Sequence, residues 1–153
     1  MASPKGTIIV TGANGGLGSA IIRKIVAKPE LATLYGVYTV RDARAATSLE
    51  PILQATNSHH NLVLSLELSR LSSVREAAAT INAKVNTGEI PPIRALILNA
   101  AQRETQGQTW TESGLDLTFA GNYLGHWLLT LLLLPSIDRE LGRVVVVGGW
   151  AHE

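Results

Sequence analysis

At 153 residues the chain has the length of one domain, so two independent modules are not expected. Hydrophobic residues make up 46% and charged residues only 16%, against roughly 25% charged in an average soluble domain, which is enough to build a core and leaves apolar surface to bury against another chain. A net charge of +1 without a basic run argues against a nucleic-acid partner, and the absence of Cys excludes disulfides, thiolate metal sites and a Cys nucleophile.

Residues 1–6 lack an apolar signal core, so secretion is not expected and a cytoplasmic location is. A first strand is predicted over Thr7 to Thr11, followed by a helix whose Leu17, Ala20, Ile21, Ile25 and Val26 share one stripe. A second strand is predicted near Leu34 to Val40, then a weak helix interrupted by Pro51 and a third strand over Leu62 to Leu66. Ser73 and Glu76 have the spacing of a capping box before a third helix. A fourth strand is predicted at Ala95 to Leu98 and a fifth at Arg143 to Val147, with a long helix between them from about Leu115 to Leu134. That helix is apolar on most of its circumference, which requires cover on more than one side. Its longest apolar run, Trp127 to Leu134, stops at Pro135 and is shorter than the roughly 20 residues of a membrane span, so no membrane partner is expected. Strands alternating with helices predict an α/β domain over residues 1–153, a doubly wound parallel sheet of about five strands with helices on both faces.

The sharpest signal is Thr11-Gly12-Ala13-Asn14-Gly15-Gly16-Leu17-Gly18, where the first strand gives way to the first helix. Glycines there allow backbone angles closed to other residues and let a diphosphate approach the main chain at a helix start. The spacing is not G-x-G-x-x-G, and no Lys-Ser or Lys-Thr follows to make a triphosphate loop.

This octapeptide resembles the T-G-x-x-x-G-x-G fingerprint of the short-chain dehydrogenase/reductase family. Leu98-Asn99-Ala100-Ala101 resembles the family's N-N-A-G stretch, with Leu for the first Asn and Ala for the Gly. The run from Phe119 through Asn122 and Gly125 to Trp127 resembles the helix that carries the family's Asn, and Arg143 to His152 resembles the fifth strand and following loop, in a form similar to fungal members. The resemblance implies a Rossmann-like fold, truncated after the fifth strand relative to a typical member. It assigns Thr11, Gly12, Asn14, Gly16, Leu17, Gly18, Asn99 and Ala100 to the cofactor cradle. The end of the second strand chooses the cofactor in this family, and Arg41 with Arg44 implies NADP(H), because a guanidinium fork matches a phosphate. Glu67 stands where the family has an Asp near the adenine.

Family chemistry uses a Tyr as acid and base, a Lys four residues later, a Ser and the helix Asn. A phenol needs a nearby cation to work at neutral pH. Here only Asn122 is present: Thr39, Asp42 and Trp127 follow Tyr35, Tyr38 and Tyr123 by four, every Lys lies at or before Lys84, and Gly149 takes the Ser position. Asn122, Tyr123 and His152 remain as candidate polar groups in the old substrate pocket. The resemblance therefore implies an NADP(H)-binding protein without stand-alone reductase activity, serving as a partner subunit or pseudoenzyme. Two alternatives stay open: a non-redox isomerisation, dehydration or cyclisation on a small apolar molecule, as in secondary-metabolite biosynthesis, or one part of a split NADPH-dependent oxidoreductase. In the family the fourth helix commonly meets a second subunit, which implies a homo-oligomer or a hetero-oligomer with a longer relative. His126 is expected as a satisfied core or interface His, Arg103 and Glu104 as loop charges near the pocket, and no spacing supports a metal site.

Overall fold

A computed structural model of the chain describes residues 4–55, 59–104 and 107–149. Five parallel strands form one sheet in the order β3-β2-β1-β4-β5. They are β1 (Thr7–Thr11), β2 (Tyr35–Val40), β3 (Asn61–Ser65), β4 (Ile93–Leu98) and β5 (Arg143–Val146). The centre follows from composition: β1 reads TIIVT and is buried at every residue, as a parallel strand covered on both faces must be.

Alternation along β1 feeds two separate cores. Ile8 and Val10 point to the face covered by α1 (Gly16–Ala27) and α2 (Glu50–Gln54), where Ile22, Ile25, Leu49 and Ile52 pack on them. Ile9, with Val37 and Leu96, faces α3 (Leu71–Asn86) and α4 (Leu117–Ser136), where Val74, Ile81, Leu129 and Leu133 are buried. This is the doubly wound arrangement expected from the alternation of strand and helix patterns.

Two local expectations are corrected. Pro51 does not interrupt the second helix but lies in its first turn, where a missing N–H costs nothing. Ser73 is not a helix cap: α3 begins at Leu71 after Arg70, and the Ser73 hydroxyl instead accepts the backbone N–H of Glu67 at 3.0 Å. The fourth helix keeps its expected extent, closing on a 3₁₀ turn at Leu134–Ser136, and contains a π turn at Ala120–Leu124, a distortion that often marks functional segments.

By length and composition α4 is long and apolar enough to cross a membrane. In this fold one side of it packs on the sheet and on α3. Its Leu129 and Leu133 are buried, Asn82 of α3 donates to the Leu132 carbonyl at 2.8 Å, and Ser136 donates to Asn82 Oδ1 at 2.6 Å. Cover on more than one side is only partly realised, because Phe119, Tyr123, Trp127, Leu131 and Leu134 are exposed along one side. The neighbouring strand β5 is exposed throughout, with Val146 at 71%.

Candidate functional site

Strand order reverses direction at β1: β2 follows on one side and β4 on the other. A cleft is expected at the carboxyl ends of strands at such a switch point. One of about 620 Å³ lies there, lined by the glycine turn, Arg41, Glu67, Asn99 to Gln102, Gly121, Asn122 and Val147 to Gly149.

The turn is shaped by contacts that only glycine permits. Gly12 has φ +65°, and a Cβ there would stand 2.8 Å from the Ala100 backbone. A Cβ on Gly18 would stand 2.1 Å from the Gly12 carbonyl oxygen. Gly16 differs: a Cβ there would meet nothing within 4 Å, so its freedom faces the open cleft. Gly15 is the N-cap of α1 and offers no side-chain oxygen, leaving the first-turn N–H groups available to an anion. A diphosphate fits this donor set and this space.

Asn99 holds the turn in place. Its Nδ2 donates to the carbonyl oxygens of Thr11 at 2.9 Å and Gly12 at 3.4 Å. Thr11 does not line the cleft; it is fully buried, and its Oγ1 accepts the backbone N–H groups of Asn99 at 2.9 Å and Ala100 at 3.0 Å. Its place in the fingerprint is thus that of a pin between β1 and the loop after β4.

Arg41 sits on the rim, with Nη2 donating to Gln102 Oε1 at 2.9 Å and Nε 3.6 Å from Glu67 Oε2. Glu67 lines the cleft, and its Oε1 also accepts the N–H and hydroxyl of Ser69 at 3.1 and 2.8 Å. Arg44 is not among the lining residues; its backbone N–H caps onto Asp42 at 2.9 Å in a one-turn helix. Of the two candidate phosphate ligands, only Arg41 is therefore placed on the cleft.

The far wall is set by Asn122. Its side chain is engaged on both sides by the Gln102 backbone, accepting that residue's N–H at 2.9 Å and donating to its carbonyl at 2.7 Å. Tyr123 points away: it is 60% exposed and stacks on Phe119 with ring centroids 5.5 Å apart, outside the cleft lining. Gly149 lines the cleft, and His152 lies outside the described residues. Glu104 holds the loop to the start of α4 by accepting the Thr118 hydroxyl at 3.0 Å. Gln102, which ties Arg41 to Asn122, carries no signal in the sequence: it stands one residue past the Leu98-Asn99-Ala100-Ala101 motif. Among the described residues no group of His, Asp and Glu could hold a metal ion.

A doubly wound sheet with a glycine-lined cleft at its switch point defines the Rossmann class of α/β domains. Residues 6–152 match the family model described as short chain dehydrogenase, and the chain belongs to the short-chain dehydrogenase/reductase family. It is 50% identical to short-chain dehydrogenase iccH of Talaromyces variabilis, covering 97% of this chain and 42% of that protein. It is 34% identical to retinol dehydrogenase 13 of Homo sapiens, covering 97% of this chain and 43% of that protein. The fold is shared with a metagenomic short-chain oxidoreductase in complex with NADP, at TM-score 0.74 and 23% identity over 95% of this chain and 63% of that one. A Sphingobium yanoikuyae short-chain dehydrogenase in complex with NADPH gives TM-score 0.71 at 19% identity, over 95% and 54% of the two chains. The chain thus spans less than half the length of these two curated relatives.

Proposed function

We propose that these residues form an NADP(H)-binding unit of the short-chain dehydrogenase/reductase family that does not reduce carbonyls by itself and acts in association with another chain. The observation that carries the reading is Arg41 on the rim of a glycine-shaped cleft at the switch point. NADPH supplies a hydride when bound. The residues of this chain would hold it: the start of α1 would receive the diphosphate, and Arg41 would offer a guanidinium to a 2′-phosphate. Asn99 keeps the turn aligned, and Asn122 with Gln102 fixes the opposite wall.

The family's Tyr and Lys pair does not occur within these 153 residues. They contain no Tyr with a Lys four positions later, Tyr123 faces outward, and the Asn122 amide is already paired. The non-redox reading draws no support from this geometry. Association is supported by the exposed apolar side of α4. A longer relative on that face would complete a split oxidoreductase by bringing a Tyr and a Lys at the family spacing, which a second copy of these residues could not do.

The test is NADPH consumption by the purified chain with a panel of ketones and aldehydes. The expected result is no carbonyl-dependent oxidation above background. Turnover at an ordinary enzymatic rate, about 1 s⁻¹ or faster, would contradict the reading.

A further inference from the structure

The grip on a nucleotide does not explain why His126, on the buried side of α4, meets Thr11 at the end of β1. Thr11 Oγ1 accepts the N–H groups of Asn99 and Ala100. A hydroxyl oxygen has two acceptor sites and one proton, so both acceptor sites are occupied and the proton needs its own partner. His126 Nε2 lies 2.9 Å away. The alternative, the Ile97 carbonyl oxygen, is at 3.5 Å, too long for a good O–H···O bond.

The other ring nitrogen fixes the direction. His126 Nδ1 is 3.2 Å from the carbonyl oxygen of Asn122 in the π turn. A carbonyl only accepts, so Nδ1 bears the proton and Nε2 of the neutral ring offers a lone pair. His126 is 7% exposed, and burial disfavours its charged form. Every donor and acceptor in the cluster is then used once.

We propose that His126 is a positioning residue of the cleft: by accepting a hydrogen bond from the Thr11 hydroxyl it aims both Thr11 lone pairs at the Asn99 and Ala100 amides and holds the loop after β4 against the glycine turn. The consequence is geometric. That loop stands so close to Gly12 that an added Cβ would be 2.8 Å from Ala100 Cα, and the same loop forms one cleft wall. Cleft width is therefore set from α4, through a hydroxyl whose rotamer would otherwise be free. The inference rests on the reading of this cleft as a dinucleotide site.

Amide hydrogen exchange on the whole chain tests it without a ligand. In His126→Leu, which keeps an apolar side chain but removes the acceptor, exchange at Asn99 and Ala100 should quicken about fivefold to tenfold, the worth of one hydrogen bond. Ile9 and Leu96 in the central strands should keep their protection. His126→Gln, whose amide oxygen can accept the same proton, should restore protection at both amides. Thr11→Val, which has the same shape without the hydroxyl, should reproduce the loss, and the double variant should be no worse than either single one. Unchanged exchange at Asn99 and Ala100 in His126→Leu would overturn the inference. So would equal loss at Ile9 and Leu96, or no recovery in His126→Gln, because packing alone would then explain the residue. If His126→Leu does not fold, full protection of the two amides in Thr11→Val overturns it instead. Titration of the same proteins with NADPH should show Kd weakened about fivefold to tenfold in the Leu variant and restored in the Gln variant. A wild-type chain that shows the exchange pattern yet does not bind NADPH overturns the dinucleotide reading and leaves the role of His126 in the loop intact.

Discussion

The phenol of Tyr38 meets Nε2 of His59 at 2.7 Å inside the α1 face of the sheet, while His59 Nδ1 donates to the Ala32 carbonyl at 3.1 Å. The ring is neutral in this arrangement and accepts from the Tyr38 hydroxyl, tying β2 to the segment before it. Burial pushes the Tyr38 phenol well above its ordinary value and the His59 imidazole below its own. Tyr38→Phe strands the His59 nitrogen and should cost about 1 to 3 kcal/mol in urea unfolding. A change within experimental error would show that water or another group serves that nitrogen.

Both buried histidines make stability fall in acid. His59 and His126 have folded values lowered from 6.5, chiefly by burial. Between the lowered value and 6.5 the unfolded chain binds a proton that the native chain refuses. Stability is therefore full above about pH 6.5 and declines as pH drops through that window, by up to about 1.4 kcal/mol per pH unit for each ring. Melting temperature measured from pH 8 to pH 5 should show the decline, and His59→Gln should make it shallower. A melting temperature constant over that range would contradict the assignment.

Two glycines of the turn should respond in opposite ways. Gly18→Ala forces a Cβ to 2.1 Å from the Gly12 carbonyl oxygen and should destabilise the fold by about 1 to 3 kcal/mol. Gly16→Ala meets nothing within 4 Å and should leave stability within about 0.5 kcal/mol. Because Gly16 lines the cleft, the same change should weaken NADPH binding about tenfold, a loss of about 1.4 kcal/mol. Equal melting temperatures for the two variants would remove the distinction between a packing glycine and a cradle glycine.

What was legible in the sequence is what local chemistry encodes. The β-branched run of β1, the glycines after it and the stripe of α1 each carry their own signal over a few residues, so the sheet, the turn and the cleft could be placed. Ser73 has the spacing of a cap, yet its hydroxyl serves Glu67 across the turn rather than the start of α3, which spacing alone cannot reveal. Arg41 and Arg44 look equivalent in sequence, yet a one-turn helix capped by Asp42 keeps Arg44 off the cleft lining. The pairing of Thr11 with His126 spans 115 positions, and the bridge from Arg41 through Gln102 to Asn122 crosses two loops. Neither leaves a pattern in one dimension.

The apolar side of α4 should govern assembly. Phe119, Tyr123, Trp127, Leu131 and Leu134 recur at helical spacing and remain exposed. Sedimentation at micromolar concentration should show a species larger than one chain, and Trp127→Glu should shift it toward the monomer. A wild-type chain that sediments as a monomer would count against association through this face.

Arg41 should decide between the two nicotinamide cofactors. Arg41→Ala removes a guanidinium from the cleft rim and should weaken NADPH about tenfold, leaving NADH within about twofold. Equal losses for both would assign Arg41 to the rim's bonds with Gln102 and Glu67 rather than to a phosphate.

Calorimetric titration of the purified chain, first with NADPH and then with NADH, asks most directly whether the glycine turn and Arg41 grip a phosphorylated dinucleotide. Saturable binding of NADPH, about tenfold or more tighter than NADH, is the result this account predicts. No binding of NADPH at millimolar concentration, or tighter binding of NADH, would contradict it.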